Sequence, residues 1–446
     1  MPWVRSNLVC IAVASALWAQ TAGAQDDPLG VNDMAEAVVS MTSPVWTGPR
    51  TPAPVPVERP PGASVVIRSP YSLLAVHADP DVSERTLGQA MQALEQARTR
   101  LDTMGWPAPV SDGALGGGAE IDLYLTGALP PGAYSDGMIS WSYLDRASTF
   151  AVVNPAIPAA MVDACVTSAY AEAMLMSADP AEAHAWRRAT AAWLTWELTG
   201  APGCGDAIRR QQEEPYRSWI GGAVGGGAGG LILLAYLSER HDDGGHQFVR
   251  DMWALASQRT WEGSELRAEP DLWSAIDTAI TLSGDRLTDN IEELAVLRWF
   301  VGRAGSLDPL VRSLDSDARI PVSRRMTRLP SRVTAREPLQ SFGSAYVSMD
   351  LAAWKNTKRL RAWLRGEYGV RWSFVAVELD GDGNEIRRVA SPHTDRTPAT
   401  YLPIEIDERA RRILWVVTNL SSAVPDADEA EVDERSFELI VDEARD

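Results

Sequence analysis

From Ala345 onward the chain is built of short segments in which apolar and polar residues alternate, and this period of two most tightly limits its fold. "AYVSMDL", "RLRAWLRG", "RWSFVAVELD", "EIRRVAS", "TYLPIEI", "RILWVVTNL" and "RSFELIVD" are separated by Gly, Asp, Pro and Asn turns. Alternation puts every second side chain on one face of a strand. Seven short strands in about a hundred residues predict an antiparallel β-sandwich over 341–446, with 306–340 as the linker before it.

Upstream the period changes. Residues 158–305 are mainly helical in pattern. Residues 166–199, "VTSAYAEAMLMSADPAEAHAWRRATAAWLTWELT", predict two helices parted by a turn at Asp179-Pro180. The first is expected to run from about Pro158 to Ala178. Asp179 is expected to cap the second, with Pro180 in its first turn, Glu182 closing a D-x-x-E capping box and Gly200 ending it. "LILLAYLSERH", "HQFVRDMWALASQ", "PDLWSAIDTAITL" and "TDNIEELAVLRWFVGR" add further helices. Residues 63–157 mix the two periods. "ASVVIRSPYSLLAVHA", "AEIDLYLTG" and "STFAVVNP" have strand character, whereas Leu87, Met91, Leu94, Ala97 and Leu101 recur at helical spacing. The fold class is therefore α+β: a small N-terminal sheet with a helical bundle, then a sandwich.

At the N-terminus Arg5 precedes an apolar run, Leu8 to Trp18, and Ala22-Gly23-Ala24 fits a small-x-small cleavage rule. Residues 1–24 are expected to be a signal peptide and the protein to be exported, to the periplasm or beyond the cell. The run is too short to span a bilayer comfortably, and no later stretch of the mature chain resembles a transmembrane segment. Cys10 has no lipobox around it. Residues 25–62, with "SPVWTGPRTPAPVPVERPPG", form a Pro-rich linker or strap. Cleavage would leave Cys165 and Cys204. Export permits a disulfide between them, and two separate buried thiols remain the alternative. The net charge of -19 opposes binding to phosphate backbones, so no nucleic-acid partner is expected.

The helix pair raises the question of chemistry. A zinc hydrolase of this architecture needs two imidazoles one turn apart, a Glu beside the first as general base, and a third ligand from the next helix. Around that pair the chain resembles secreted bacterial zinc metallopeptidases of the gluzincin type. "STFAVVNP" precedes the first helix, as the edge strand does in that family. "RATAAW" (188–193) is similar to its "EGTAxW" segment at Thr190, Ala191 and Trp193. "LILLAYLSERHDDGGHQFVRDMW" resembles its later helix pair, and a C-terminal β-sandwich is a common appendage there. The resemblance covers roughly residues 64–305 and implies zinc as cofactor and peptides as substrates. The diagnostic HExxH is missing. One register within "TSAYAE" puts Ser168 at the first ligand position, Ala169 at the catalytic Glu and Glu172 at the second ligand, with Arg188 at the third. A guanidinium offers no lone pair to a metal. The expectation is a degenerate metal site without zinc, in which Glu172 and Arg188 either form an ion pair or point to solvent on separate faces.

Other motifs have plain readings. His184 suits a helix start or surface. His241 and His246 in "RHDDGGH" carry ligand chemistry, yet they sit in a polar turn. "GGAVGGGAGG" holds a G-x-G-x-x-G at Gly225, Gly227 and Gly230 with no strand before it and no Lys-Ser/Thr after it. Asp380, Asp382 and Asn384 in "LDGDGNE" begin like a calcium loop, but Ser391 stands where the bidentate Glu belongs. "PDADEAEVDE" (425–434) is an acidic turn. No Ser-His-Asp arrangement stands out. The chain is thus expected to be a pseudopeptidase that binds a peptide, protein or envelope component. One rival is a hydrolase with a non-standard centre drawn from Glu172, His184, Glu197 and the His241/His246 turn. The other is an adhesion protein working through its sandwich.

Overall fold

The computed structural model describes residues 56–444 apart from 140–145, 206, 220–226, 243–245, 258–260, 263–264, 267–270, 304–318, 355–356, 392–398 and 421–433. The expected signal peptide, most of the Pro-rich segment, Gly225 and nearly all of the acidic turn lie outside the described residues. The fold is α+β with a sheet-rich C-terminal region. In chain order come β1 (Val65–Arg68), β2 (Leu74–Ala78), α1 (Glu84–Thr103), β3 (Ile121–Leu125), β4 (Gly132–Ile139), β5 (Ala147–Val153), α2 (Val162–Ala178) and α3 (His184–Thr199). Then follow α4 (Ala207–Glu213), α5 (Leu231–His241), α6 (Gln247–Ala256), the two-residue strands β6 (Trp261–Glu262) and β7 (Glu265–Leu266), α7 (Leu272–Leu282) and α8 (Leu287–Arg298). The remaining strands are β8 (Arg324–Met326), β9 (Ser331–Thr334), β10 (Ser344–Asp350), β11 (Arg359–Gly366), β12 (Trp372–Leu379), β13 (Glu385–Ala390), β14 (Ala399–Glu405), β15 (Arg412–Asn419) and β16 (Phe437–Glu443).

The chain divides into two compact units, Met1–Gly205 with Leu237–Arg286, and Asp206–Tyr236 with Leu287–Asp446. The first holds a five-stranded mixed sheet ordered β1-β2-β3-β5-β4. β2, β3 and β5 run parallel, and β4 closes the sheet as an antiparallel edge. The strand "STFAVVNP" is therefore interior, and the edge strand is the preceding β4. Its sequence, GAYSDGMI, carries two glycines and three polar residues, so no run of apolar residues announced it. α1 buries the stripe Leu87, Met91, Leu94, Ala97 and Leu101, and Ser83 caps it by accepting from Thr86 N–H.

α2 packs on β4, β5, α1 and α3. It is apolar on almost its whole circumference, the pattern of a helix wrapped by neighbours on every side. α3 ends at Gly200 with φ 75°, as its glycine suggested. Its start differs from expectation. The helix begins at His184, not after Asp179. Asp179 Oδ1 accepts from Glu182 N–H and closes a separate turn, while Glu182 turns its carboxylate to Ala183 N–H and Leu272 N–H. With both side chains committed there, no capping box forms.

The second unit contains the sandwich. One sheet is ordered β13-β12-β15-β10-β8 and the other β14-β11-β16-β9. Their inner faces share a core that includes Val347, Phe374, Trp415 and Val417 from the first and Leu360, Leu364, Ile404 and Leu439 from the second. All seven predicted strands form, and two more join them. β8 and β9 lie within the expected 306–340 linker, where Arg, Pro and Ser hide the alternation. In the β12–β13 turn, Asp380 accepts from Asp382 N–H and from the Asn384 backbone and side chain, so the calcium-like residues serve a hairpin. Among the described residues no helix is long and apolar enough to cross a membrane.

Candidate functional site

α2 and α3 are locked at one end by a disulfide. Cys165 in the first turn of α2 is bonded to Cys204 beyond α3, with a Cα–Cα distance of 4.8 Å. The pairing resolves the choice between a bridge and two free thiols. The bridged loop crowds Ser168, because a Cβ at Gly203 would stand 3.1 Å from Ser168 Oγ. Ala169 is buried. One turn on from Ser168, on the same helix face, is Glu172.

Glu172 is 6% exposed, and its Oε1 has no hydrogen-bond partner. Buried polar atoms are nearly always bonded, so this one needs a reason. Its nearest charged neighbour is His184 Nδ1 at 3.6 Å, too long for a hydrogen bond. Burial raises the Glu172 pKa, and the positive charges of Arg188 and Arg187 pull back against it. His184 moves the other way, down to about 4. Burial acts first, then the charges of Arg187 and Arg188. With 56% of its side-chain surface open, solvent tempers the burial share. Tyr134 on β4 feels the Glu172 charge as well, after burial, and donates its hydroxyl hydrogen bond to Pro130 O.

The expected Glu172–Arg188 ion pair does not close. Among the described residues His184 alone brings a titratable side chain within 4 Å of the Glu172 carboxylate, and Arg188 acts on it only through its field. Arg188 is partly exposed and keeps access to water. The cluster is thus Glu172 on α2 with His184 of α3 beside it and Arg188 acting on it through its field, while Ser168 lies toward the bridged loop. His184 is both a helix-start residue and the neighbour of Glu172, with which the non-standard-centre reading grouped it.

The other candidates lie elsewhere. Glu197 is thirteen residues from His184 on α3, about 20 Å along the axis. Its carboxylate is 3.7 Å from His246 Nε2, and burial raises its pKa. His246 also packs edge-on to Trp193, whereas His241 stacks on Phe248 and turns Nδ1 toward Ser283 Oγ. The two imidazoles are held by different partners, so the residues of the non-standard hydrolase split into three groups: Glu172 with His184, Glu197 with His246, and His241 apart.

No family model and no curated protein matches the chain. Short stretches are similar to solved structures. The enzymatically active domain of bacteriophage CBA120 tailspike protein 4 is 11% identical, over 26% of this chain and 18% of that one, with TM-score 0.19. The SPBc2 prophage-derived protein YomS is 12% identical, over 26% of this chain and 97% of that one, at 0.15. The VP2 subviral particle of infectious bursal disease virus is 14% identical, over 25% and 32%, at 0.17. Likenesses this slight carry no argument about this chain.

Proposed function

We propose that this chain is an exported pseudopeptidase: a gluzincin-like scaffold that binds a peptide, protein or envelope component beside β4 and the α2–α3 pair without cleaving it. One observation carries the reading. The buried, unsatisfied carboxyl of Glu172 faces His184 and Arg188 where a hydrolytic metal site would need ligands and a base. The donors do not fit zinc. Glu172 and His184 are two ligands, and a catalytic zinc takes three from the protein. Ser168 is a neutral hydroxyl, Ala169 has no base to offer, and the fixed charge of Arg188 would repel a divalent ion. What remains suits recognition: a guanidinium with access to solvent, an imidazole and a buried carboxyl with an unpaired oxygen.

The test has two readouts on the full mature chain. After incubation with zinc and removal of excess, elemental mass spectrometry should find less than about 0.1 equivalent. A casein-digest peptide mixture passed with the protein through a sizing column should leave intact peptides with the wild type and fewer with Arg188→Glu. Stoichiometric zinc with shortened peptides would overturn the proposal, and so would peptide retention indifferent to Arg188→Glu.

A further inference from the structure

The last residues of the Pro-rich segment are not a free linker. Val57 N–H donates to Ser135 O at 3.0 Å, on the open edge of β4. Pro56 lies over Gly137, where a Cβ would come within 2.4 Å of its ring. Gly137 also has φ 78°, so glycine is required there twice over. Val57 packs against the cluster of Tyr124, Phe150 and Val152. Along the segment Pro56 and Glu58 are exposed while Val57 and Arg59 turn inward, the alternation of an added strand.

Arg59 fills a pocket of unusual charge. Its guanidinium is bidentate to Asp136, with Nε to Oδ1 at 3.0 Å and Nη2 to Oδ2 at 2.8 Å. It also bonds Asp122 through Nη1 and Asp112 through Nη2, meets the Tyr124 hydroxyl at 3.3 Å, and lies over the Phe150 ring at 5.2 Å. Three carboxylates meet one cation. The carboxylate side chains are 2–3% exposed, while the arginine is 13% exposed. His77 Nε2 holds the far oxygen of Asp122 at 2.8 Å. Asp112 is 4% exposed, and its second oxygen, Oδ1, has no hydrogen-bond donor. A purely structural anchor needs one carboxylate for one guanidinium. Here the acceptors are set into the sheet and its loops, and the cation arrives from a segment lying outside the sheet.

We propose that the open edge of β4 together with the Asp112–Asp122–Asp136 pocket is a binding site for an extended peptide bearing arginine two residues after a β-branched residue. The chain fills it with its own Val57-Glu58-Arg59. The backbone donor sets the strand register, Val57 takes the apolar ledge, and the pocket reads the guanidinium by its two-pronged geometry. Because the segment is tethered, its local concentration is high and a peptide in trans must compete with it. None of these residues belongs to the Glu172 cluster, so the inference stands or falls apart from the function proposed above.

The experiment uses the full mature chain and a fluorescein-labelled peptide of residues 51–62, TPAPVPVERPPG, followed by fluorescence anisotropy. Wild type should bind it weakly. Arg59→Ala should bind it at least about tenfold more tightly, since the competing segment no longer holds the pocket. The same peptide with its arginine replaced by alanine should not bind, and adding Asp136→Asn to Arg59→Ala should abolish the gain. A folded Arg59→Ala protein that ignores the peptide, or binds both peptides alike, overturns the proposal. Should Arg59→Ala not fold, Val57→Pro removes both the N–H donated to Ser135 and the side chain on the apolar ledge, and the same two criteria apply to it.

Discussion

Arg187 and Arg188 are neighbours on α3, and they serve carboxyl groups in opposite ways. Arg187 is 6% exposed and donates to the carbonyls of Glu182 and Pro180, beside the buried turn of Asp179 and Glu182. There Glu182 accepts from two backbone N–H groups and Asp179 Oδ1 from one, while Asp179 Oδ2 has no hydrogen-bond partner. Arg188 is partly exposed and only its field reaches Glu172, whose Oε1 has no donor. A helix rotates about 100° per residue, so adjacent positions look onto different surroundings. One side of α3 is fastened with charge; the other is left open beside an unsatisfied acid. The first arrangement holds the turn before α3, and the second is the one that the proposed binding role would use.

The largest break in this comparison should come from Arg187→Met. Removing one partner from a buried charged group typically costs roughly 3–5 kcal/mol. Denaturant unfolding should show a loss of that order, and a loss below about 1 kcal/mol would mean that the turn carries itself. Next comes Cys165→Ser with Cys204→Ser. Opening a loop with a sequence separation of 39 should cost about 3–4 kcal/mol. Hydrogen exchange should then quicken around Ser168 at the bridged end before it does around Arg187.

A third test uses pH. Burial pushes Asp179 from 3.8 up to about 7, against the opposing charge of Arg187. The folded state therefore holds a proton that the unfolded chain releases above pH 3.8. That stability is fully present below 3.8 and is lost as pH rises through about 7. Asp179→Asn keeps the acceptor for Glu182 N–H and removes the titration. Stability measured from pH 4 to 8 should fall less steeply in this variant than in the wild type. An unchanged slope would place the pH dependence in other groups.

Regular elements were legible in the sequence where one face is buried, as in α1 and in β10 to β16. The α2–α3 pair was legible too, and so was the odd placing of Glu172 in it. What escaped notice were features set by tertiary partners. β4 is broken by Ser135, Asp136 and Gly137, the positions at which Val57, Arg59 and Pro56 meet it. Arg59 looked like one charge in a proline run. The usable signal was on the other side: Asp122 interrupts the apolar strand IDLYL, and a buried carboxylate there demands a cation. His184 was assigned to a helix start correctly, but its approach to Glu172 depends on how α2 and α3 cross. The Asp179–Glu182 pair has capping-box spacing, and only the distant Leu272 N–H shows why Glu182 turns away.

The smallest effect on stability should come from Arg188→Ala, and it most sharpens the contrast with Arg187. Arg188 makes no hydrogen bond or ion pair within 4 Å among the described residues, so its loss should change stability by less than about 0.5 kcal/mol at pH 4. Its field does lower the raised pKa of Glu172. Without it the Glu172 pKa should climb further, which NMR titration of the carboxyl would read directly. A raised carboxyl pKa stabilises the fold below the ordinary value of 4.5, and that stability is lost as pH rises through the folded value. The variant should therefore match the wild type in acid and fall behind it as pH rises. Glu172→Gln should erase that difference, because the group that couples to Arg188 no longer titrates. If Arg188→Ala instead costs as much as Arg187→Met at every pH, Arg188 is a structural cation and the open side of α3 is no binding surface.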